Sequence, residues 1–140
     1  MDNNTIIAII SRIREKANKF LIDEMEKNNI KGLVTSHGNI IFSLFKNPKL
    51  TMKDLSRITG KDKSTITALI NKLKKSGYIK KIKNDKDTRI TNISLTDKGK
   101  SLEPKLRKIS DNLIKTAYKG INDNEKKAVV DILQKIKGNF

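Results

Sequence analysis

The chain has 140 residues, with 31 Lys and Arg against 15 Asp and Glu, a single His and no Cys. This length suits one domain with a real core, while the lack of cysteine excludes disulfides, thiolate metal sites, thiol nucleophiles and cysteine redox switches. The formal charge of +16 points to a polyanionic partner; no apolar run approaches the roughly eighteen residues that span a bilayer, so a soluble, cytoplasmic protein with no membrane partner is expected.

The first element predicted is a long amphipathic helix from Thr5 to about Lys27, its apolar residues Ile6, Ile9, Ile10, Ile13, Ala17, Phe20, Leu21 and Met25 recurring at spacings of three and four. Asn28, Asn29 and Gly32 end it. A second, mostly buried helix runs from near Thr35 through Ile40, Ile41, Leu44 and Phe45 and stops before Pro48, because the residue ahead of a proline avoids helical geometry. Thr51 with Asp54 three residues on is a capping box, opening a short helix expected to bury Met52, Leu55 and Ile58. Gly60 supplies a left-handed turn and Asp62 caps the next helix, which reaches about Lys75.

In that next helix Ile66, Leu69, Ile70 and Leu73 form the buried stripe, so the opposite face carries Ser64, Thr67, Ala68 and Asn71, flanked by Lys72 and Lys75. Gly77 ends it. Tyr78 to Lys83 and Arg89 to Leu95 then read as two strands of a basic hairpin, with Asn84 and Asp85 at the bend. Thr96 is expected to cap one long helix containing Leu102, Leu106, Ile109, Leu113 and Ala117, with Pro104 in its first turns, and Gly120 ends it. Asn122 with Glu125 starts the last helix, whose apolar side holds Ala128, Val129, Ile132, Leu133 and Ile136.

Charge decides which part works on the polyanion. Residues 1–45 carry six Lys and Arg against five acids, 46–100 sixteen against five, and 101–140 nine against five. A lysine excess from coding bias spreads evenly, whereas concentration in the middle third marks a nucleic-acid footprint. Helix, sharp turn, helix and hairpin is the order of a winged helix-turn-helix, which sends the start of its second helix into the major groove. The fold class expected is therefore mainly α with a small β-hairpin wing, residues 35–96 forming the DNA-binding unit and residues 1–34 and 97–140 the dimerisation helices.

The candidate major-groove residues are Lys63, Ser64, Thr65, Thr67, Ala68, Asn71 and Lys72. Asn71 suits a two-point contact to adenine, Thr67 and Ala68 a thymine methyl, and Lys63 and Lys72 guanine or phosphate. The wing candidates are Lys81, Lys83, Lys86, Asp87 and Arg89. Arginine is rare here, five against 26 lysines, so one placed at the hairpin suggests insertion into a narrow, electronegative minor groove. Asp87, read as lying on the same strand face, is placed to orient it, to tie the wing to the recognition helix, or to make a simple surface ion pair.

Ser64-Thr65-Ile66-Thr67, Leu73 through Gly77-Tyr78-Ile79, Asp87-Thr88-Arg89 and Leu95-Thr96-Asp97-Lys98-Gly99 resemble the MarR-type (multiple antibiotic resistance) regulators over nearly the whole chain. The resemblance implies a homodimeric transcriptional regulator, a repressor that reads a palindromic operator in double-stranded DNA, with Arg89 in the minor groove and Asp87 supporting it. It also implies a site for a small-molecule effector, an aromatic or phenolic anion, between the reading head and the dimer helices; constitutive repression is the alternative. Two positions depart from the family pattern: Ala68 where arginine is common, and Lys80-Lys81 where arginines often stand. Independently of the resemblance, the first and last helices offer more apolar surface than the head can cover, which calls for a second subunit.

His37 is expected to be a cap or a packed residue, and one histidine without cysteine makes no zinc site. With no glycine-rich phosphate loop and no catalytic constellation, neither an enzyme nor a cofactor is expected. The rival to a sequence-specific regulator is a non-specific architectural DNA binder, which the same basic wing serves.

Overall fold

The computed structural model describes residues 5–140. Ten elements follow in order: α1 (Thr5–Lys27), α2 (Thr35–Lys46), β1 (Leu50–Thr51), α3 (Met52–Thr59), α4 (Lys63–Lys75), β2 (Ile79–Lys83), β3 (Thr91–Leu95), α5 (Asp97–Lys100), α6 (Glu103–Ala117) and α7 (Asp123–Gly138). The strands form an antiparallel sheet in the order β1-β3-β2. β2 pairs with β3 from Ile79 opposite Leu95 to Lys83 opposite Thr91.

The core lies where α2, α3 and α4 meet the sheet. Ile40, Ile41 and Leu44 from α2, Leu55 from α3, Ile66, Ile70 and Leu73 from α4, and Ile93 from β3 are all but fully buried. Each of these aliphatic side chains removed from water contributes about 1.5–3 kcal/mol of driving force, and their three- and four-residue spacing makes one face of each helix apolar. α1 and α6 pack on each other beside this head, and Met25, Leu106 and Ile109 join its core.

The capping chemistry holds at both ends of α3. Thr51 Oγ1 accepts from the Asp54 amide and the Asp54 carboxylate accepts from the Thr51 amide, each at 3.0 Å. Gly60 turns the chain at φ 68°, where a Cβ would be strained.

Four expectations need correction. Thr51 and Leu50 form a third strand, pairing with Asn92 and Ile93. Ile58 is 47% exposed rather than buried, because α3 turns Leu55 fully into the core with Met52 half-buried against it, and Ile58 lies to the side. β3 begins at Thr91, so Asp87, Arg89 and Ile90 belong to the hairpin loop: the Asn84 amide bonds to the Ile90 carbonyl and the Ile90 amide to the Asp87 carbonyl, which closes the ladder early. The long helix after Thr96 is two helices. Thr96 caps only the single-turn α5, and α6 starts again at Glu103 with Pro104 in its first turn. Pro104 has no N–H to return to the preceding turn and its ring crowds the carbonyl four residues back, so the helix breaks at Ser101-Leu102.

Candidate nucleic-acid interface

α4 is anchored at its start by Asp62, whose carboxylate accepts from the Thr65 amide at 2.7 Å and the Ser64 hydroxyl at 3.0 Å. Those bonds, led by the amide, hold its pKa below the usual carboxylate range. The Thr51 amide likewise lowers the Asp54 carboxyl of the α3 capping box, so Asp54 and Asp62 stay ionised facing helix N-termini. Ser56 ties the turn by donating to the Lys61 carbonyl.

With Ile66, Ile70 and Leu73 buried, Lys63, Ser64, Thr65, Ala68 and Asn71 are left exposed and Thr67 half-exposed. Thr67 donates its hydroxyl proton back to the Lys63 carbonyl at 2.8 Å, so it offers a methyl and oxygen lone pairs. Asn71 points sideways, its oxygen accepting from Lys81 of β2 at 3.1 Å. Lys72 departs from the group: its ammonium would lie 3.7 Å from a Cβ built on Gly32, which places it against the α1–α2 connection.

The wing loop builds itself around two caps, one carboxamide and one carboxylate. Asn84 Oδ1 accepts from the amides of Lys86 and Asp87 at 2.9 and 3.2 Å. Asp87 then accepts from the Arg89 amide, Nε and Nη2, all at 3.0 Å, so the guanidinium is gripped on one side. Hydrogen bonding to Arg89 holds the Asp87 carboxyl below its usual range, and the same pairing raises Arg89. The Arg89 side chain is still 89% exposed, so its remaining N–H groups face outward in a set direction. Lys81, Lys83 and Lys86 are exposed along the same wing.

Between α3, the start of α4 and the base of the wing runs a cleft of about 620 Å³, lined by Lys53, Ser56, Lys63 and Arg89 among others. Sequence reasoning missed Lys53 and Ser56. The signal was present in the amphipathic pattern of α3, whose polar side follows once Leu55 is set inward, but the cleft itself depends on where the wing folds back.

A sequence family described as winged helix-turn-helix DNA-binding matches residues 35–80. The HTH-type transcriptional regulator SarZ of Staphylococcus haemolyticus (strain JCSC1435) is 31% identical over 100 residues, covering 71% of this chain and 67% of that protein. The chain belongs to the MarR-type winged helix-turn-helix transcriptional regulators. A MarR protein from Peptoclostridium difficile has the same fold, with a TM-score of 0.87 at 23% identity over 99% of this chain and 89% of that one. So does a mutant MarR from E. coli, complexed with operator DNA, with a TM-score of 0.84 at 17% identity over 97% and 99% of the two chains. The regulator is thus a DNA-binding protein of a family whose members are not enzymes. Among its described residues no helix is long and apolar enough to cross a membrane.

Proposed function

We propose that this regulator acts as a homodimeric repressor, that its two copies of α4 read a palindromic operator in double-stranded DNA, and that a small aromatic or phenolic anion releases it. The observation that carries the DNA reading is the shared exposure of the α4 polar face and the wing. Asp87 presents Arg89 outward in a fixed orientation, and Lys53 and Lys63 line the cleft between head and wing. In this reading Lys63, Ser64, Thr65, Thr67, Ala68 and Asn71 meet base edges, Arg89 enters the minor groove, Lys53, Lys83 and Lys86 meet phosphates, and Lys81 reaches the DNA beside Asn71.

The dimer reading rests on the ends of the chain. α7 has sixteen residues and none is buried in a single subunit, although Val129, Ile132 and Leu133 lie on it. Ile6, Ile9 and Ile13 of α1 are likewise exposed. Apolar faces of this extent are unstable in water unless covered, and a twofold partner covers both while placing two α4 helices about one helical turn of DNA apart. Residues 1–34 and 97–140 thus dimerise while 35–96 read; residues 1–4 lie outside the described part.

The release reading rests on a second cleft of about 500 Å³, whose walls include Leu21 and Met25 of α1, Phe42 of α2, Ile58 of α3 and Leu106 of α6. Its lining explains the exposed Ile58. Among the described residues Lys46 is the one cation lining it, and Thr35 contributes a buried hydroxyl oxygen with no partner among them. Because the cleft joins helices of the head to helices of the dimer ends, a ligand that prefers one spacing of the two shifts the balance between binding-competent and incompetent dimers.

Selection of bound sequences from random duplex DNA, followed by competition at fixed salt, tests the DNA reading. A palindrome bound roughly a thousandfold or more tighter than unrelated DNA is expected. No enriched sequence would leave the architectural alternative. For release, titration with a simple phenolic acid should give heat of binding together with loss of operator binding; heat without that loss would sink the effector role.

A further inference from the structure

Asn71 and Lys81 meet across the junction of helix and wing, Lys81 Nζ donating to Asn71 Oδ1 at 3.1 Å. A carboxamide has its acceptor oxygen on one side and two donor hydrogens on the other. Holding the oxygen toward the wing therefore turns the Nδ2 hydrogens outward. Lysine has three donor hydrogens and no acceptor, so two remain after this bond is made. Both side chains are exposed, and among the described residues no carboxylate lies within ion-pair distance of Lys81. The pair thus presents a surface made of donors: amide hydrogens from α4 beside ammonium hydrogens from β2.

The four bases differ in what they offer such a surface. In the major groove adenine shows an acceptor beside a donor, cytosine a donor, and thymine one acceptor and a methyl, whereas guanine shows two neighbouring acceptors, N7 and O6. An asparagine acting alone favours adenine, because it donates to N7 and accepts from N6. We propose that Lys81 and Asn71 act as one reading unit, in which Lys81 sets the direction of the Asn71 amide and the two together select guanine at one position of each half-site. This rests on the reading of α4 as the major-groove helix.

Strand register makes the arrangement reproducible. Lys81 stands opposite Ile93 in the ladder, and Ile93 is fully buried. A one-residue slip of β2 would turn its buried Ile79 out of the core and send Lys81 to the other sheet face, so the core fixes which strand residue faces α4. A residue that the sequence marks only as a wing contact thereby becomes a specificity determinant, and the base assigned to Asn71 changes from adenine to guanine.

The test uses the duplex enriched by the wild-type chain, with each base pair of the half-site replaced in turn and guanine also replaced by 7-deazaguanine, all at one salt concentration. The wild type is expected to favour guanine at one position per half-site by about 5- to 150-fold, and the 7-deaza base to lose part of that preference. Lys81→Met keeps the aliphatic stem and removes the ammonium; it should move the preference at that position alone toward adenine, and Lys81→Arg should retain guanine. Asn71→Ala should abolish the preference there, with no further loss on adding Lys81→Met. Unchanged guanine preference in Lys81→Met overturns the proposal. So does a uniform loss over all sequences with a shallower salt dependence, the signature of a phosphate contact. If the wild type enriches no sequence at all, the operator reading fails first and the reading unit with it.

Discussion

Gly99 is the point at which the reading head is fastened to the helices that follow. A Cβ built there would stand 2.1 Å from the Tyr78 carbonyl oxygen, 3.1 Å from its carbon and 3.0 Å from Leu95 Cδ2. Ordinary contact begins near 3.4 Å, so Gly99→Ala has to part α5 from the chain beyond α4 by about 1 Å. The Tyr78 carbonyl also accepts from the Thr96 amide at 3.0 Å, and Thr96 Oγ1 donates to the Gly77 carbonyl while accepting from the Gly99 amide. Moving α5 strains this whole clasp. Overpacking costs about 1–3 kcal/mol, and a clash against backbone belongs at the upper end; alanine's better helix propensity offsets about 1 kcal/mol. The net loss is about 2 kcal/mol, which for a urea slope of about 1.5 kcal/mol/M lowers the unfolding midpoint by about 1 M. Gly38 in α2 is the matched control: nothing lies within 4 Å of its Cβ position, so Gly38→Ala should stabilise by about 0.5–1 kcal/mol. Both variants are compared with wild type at one protein concentration, because dimerisation contributes to stability. A Gly99→Ala chain that unfolds at the wild-type midpoint would refute the packing account of the Leu95-Thr96-x-x-Gly99 segment.

Ile132→Glu places a charge on the exposed apolar side of α7 and should convert the dimer to monomers by sedimentation while the head stays folded; an unchanged dimer would move the interface elsewhere. Asp87→Ala frees the Arg89 guanidinium but keeps its charge, so operator affinity should fall less than with Arg89→Ala; equal losses would mean that Arg89 works only in the grip of Asp87. His37 is buried and accepts from the Val34 amide at 2.9 Å through Nδ1, and burial, with Lys72 nearby, lowers its pKa. The unfolded chain then takes up the proton first, so stability should be complete above about pH 6.5 and fall as pH drops through that value toward the lowered one. His37→Asn keeps an acceptor for Val34 and should flatten denaturation midpoints across that window; an unaltered slope would assign it to other groups.

The parts of the fold that are legible in the sequence are those decided within four residues. Thr51 with Asp54, Gly60, Asp62 and Asn122 with Glu125 cap and turn where their local chemistry says, and the starts of α3, α4 and α7 follow. Pro104 is visible too, but its effect depends on Lys100, whose carbonyl it crowds, and so α5 and α6 look like one helix in the sequence. β1 is hidden there because two residues carry no periodicity and their partners, Asn92 and Ile93, lie some forty positions away. Periodicity marks Ile58 as apolar without saying that it lines a cleft. In the interface, exposure of the α4 polar face follows from the buried stripe, whereas side-chain direction does not: Asn71 turns to Lys81 and Lys72 folds back over Gly32, contacts made only once β2 and the α1–α2 connection are in place.

Hydroxyl-radical footprinting of the wild type and Arg89→Ala on the enriched duplex is the sharpest test of the operator reading. A twofold-symmetric pattern is expected, two protected tracts centred about 10–10.5 base pairs apart, with flanking minor-groove protection that Arg89→Ala loses. Uniform protection with no phase and no twofold centre, unchanged by Arg89→Ala, would contradict it.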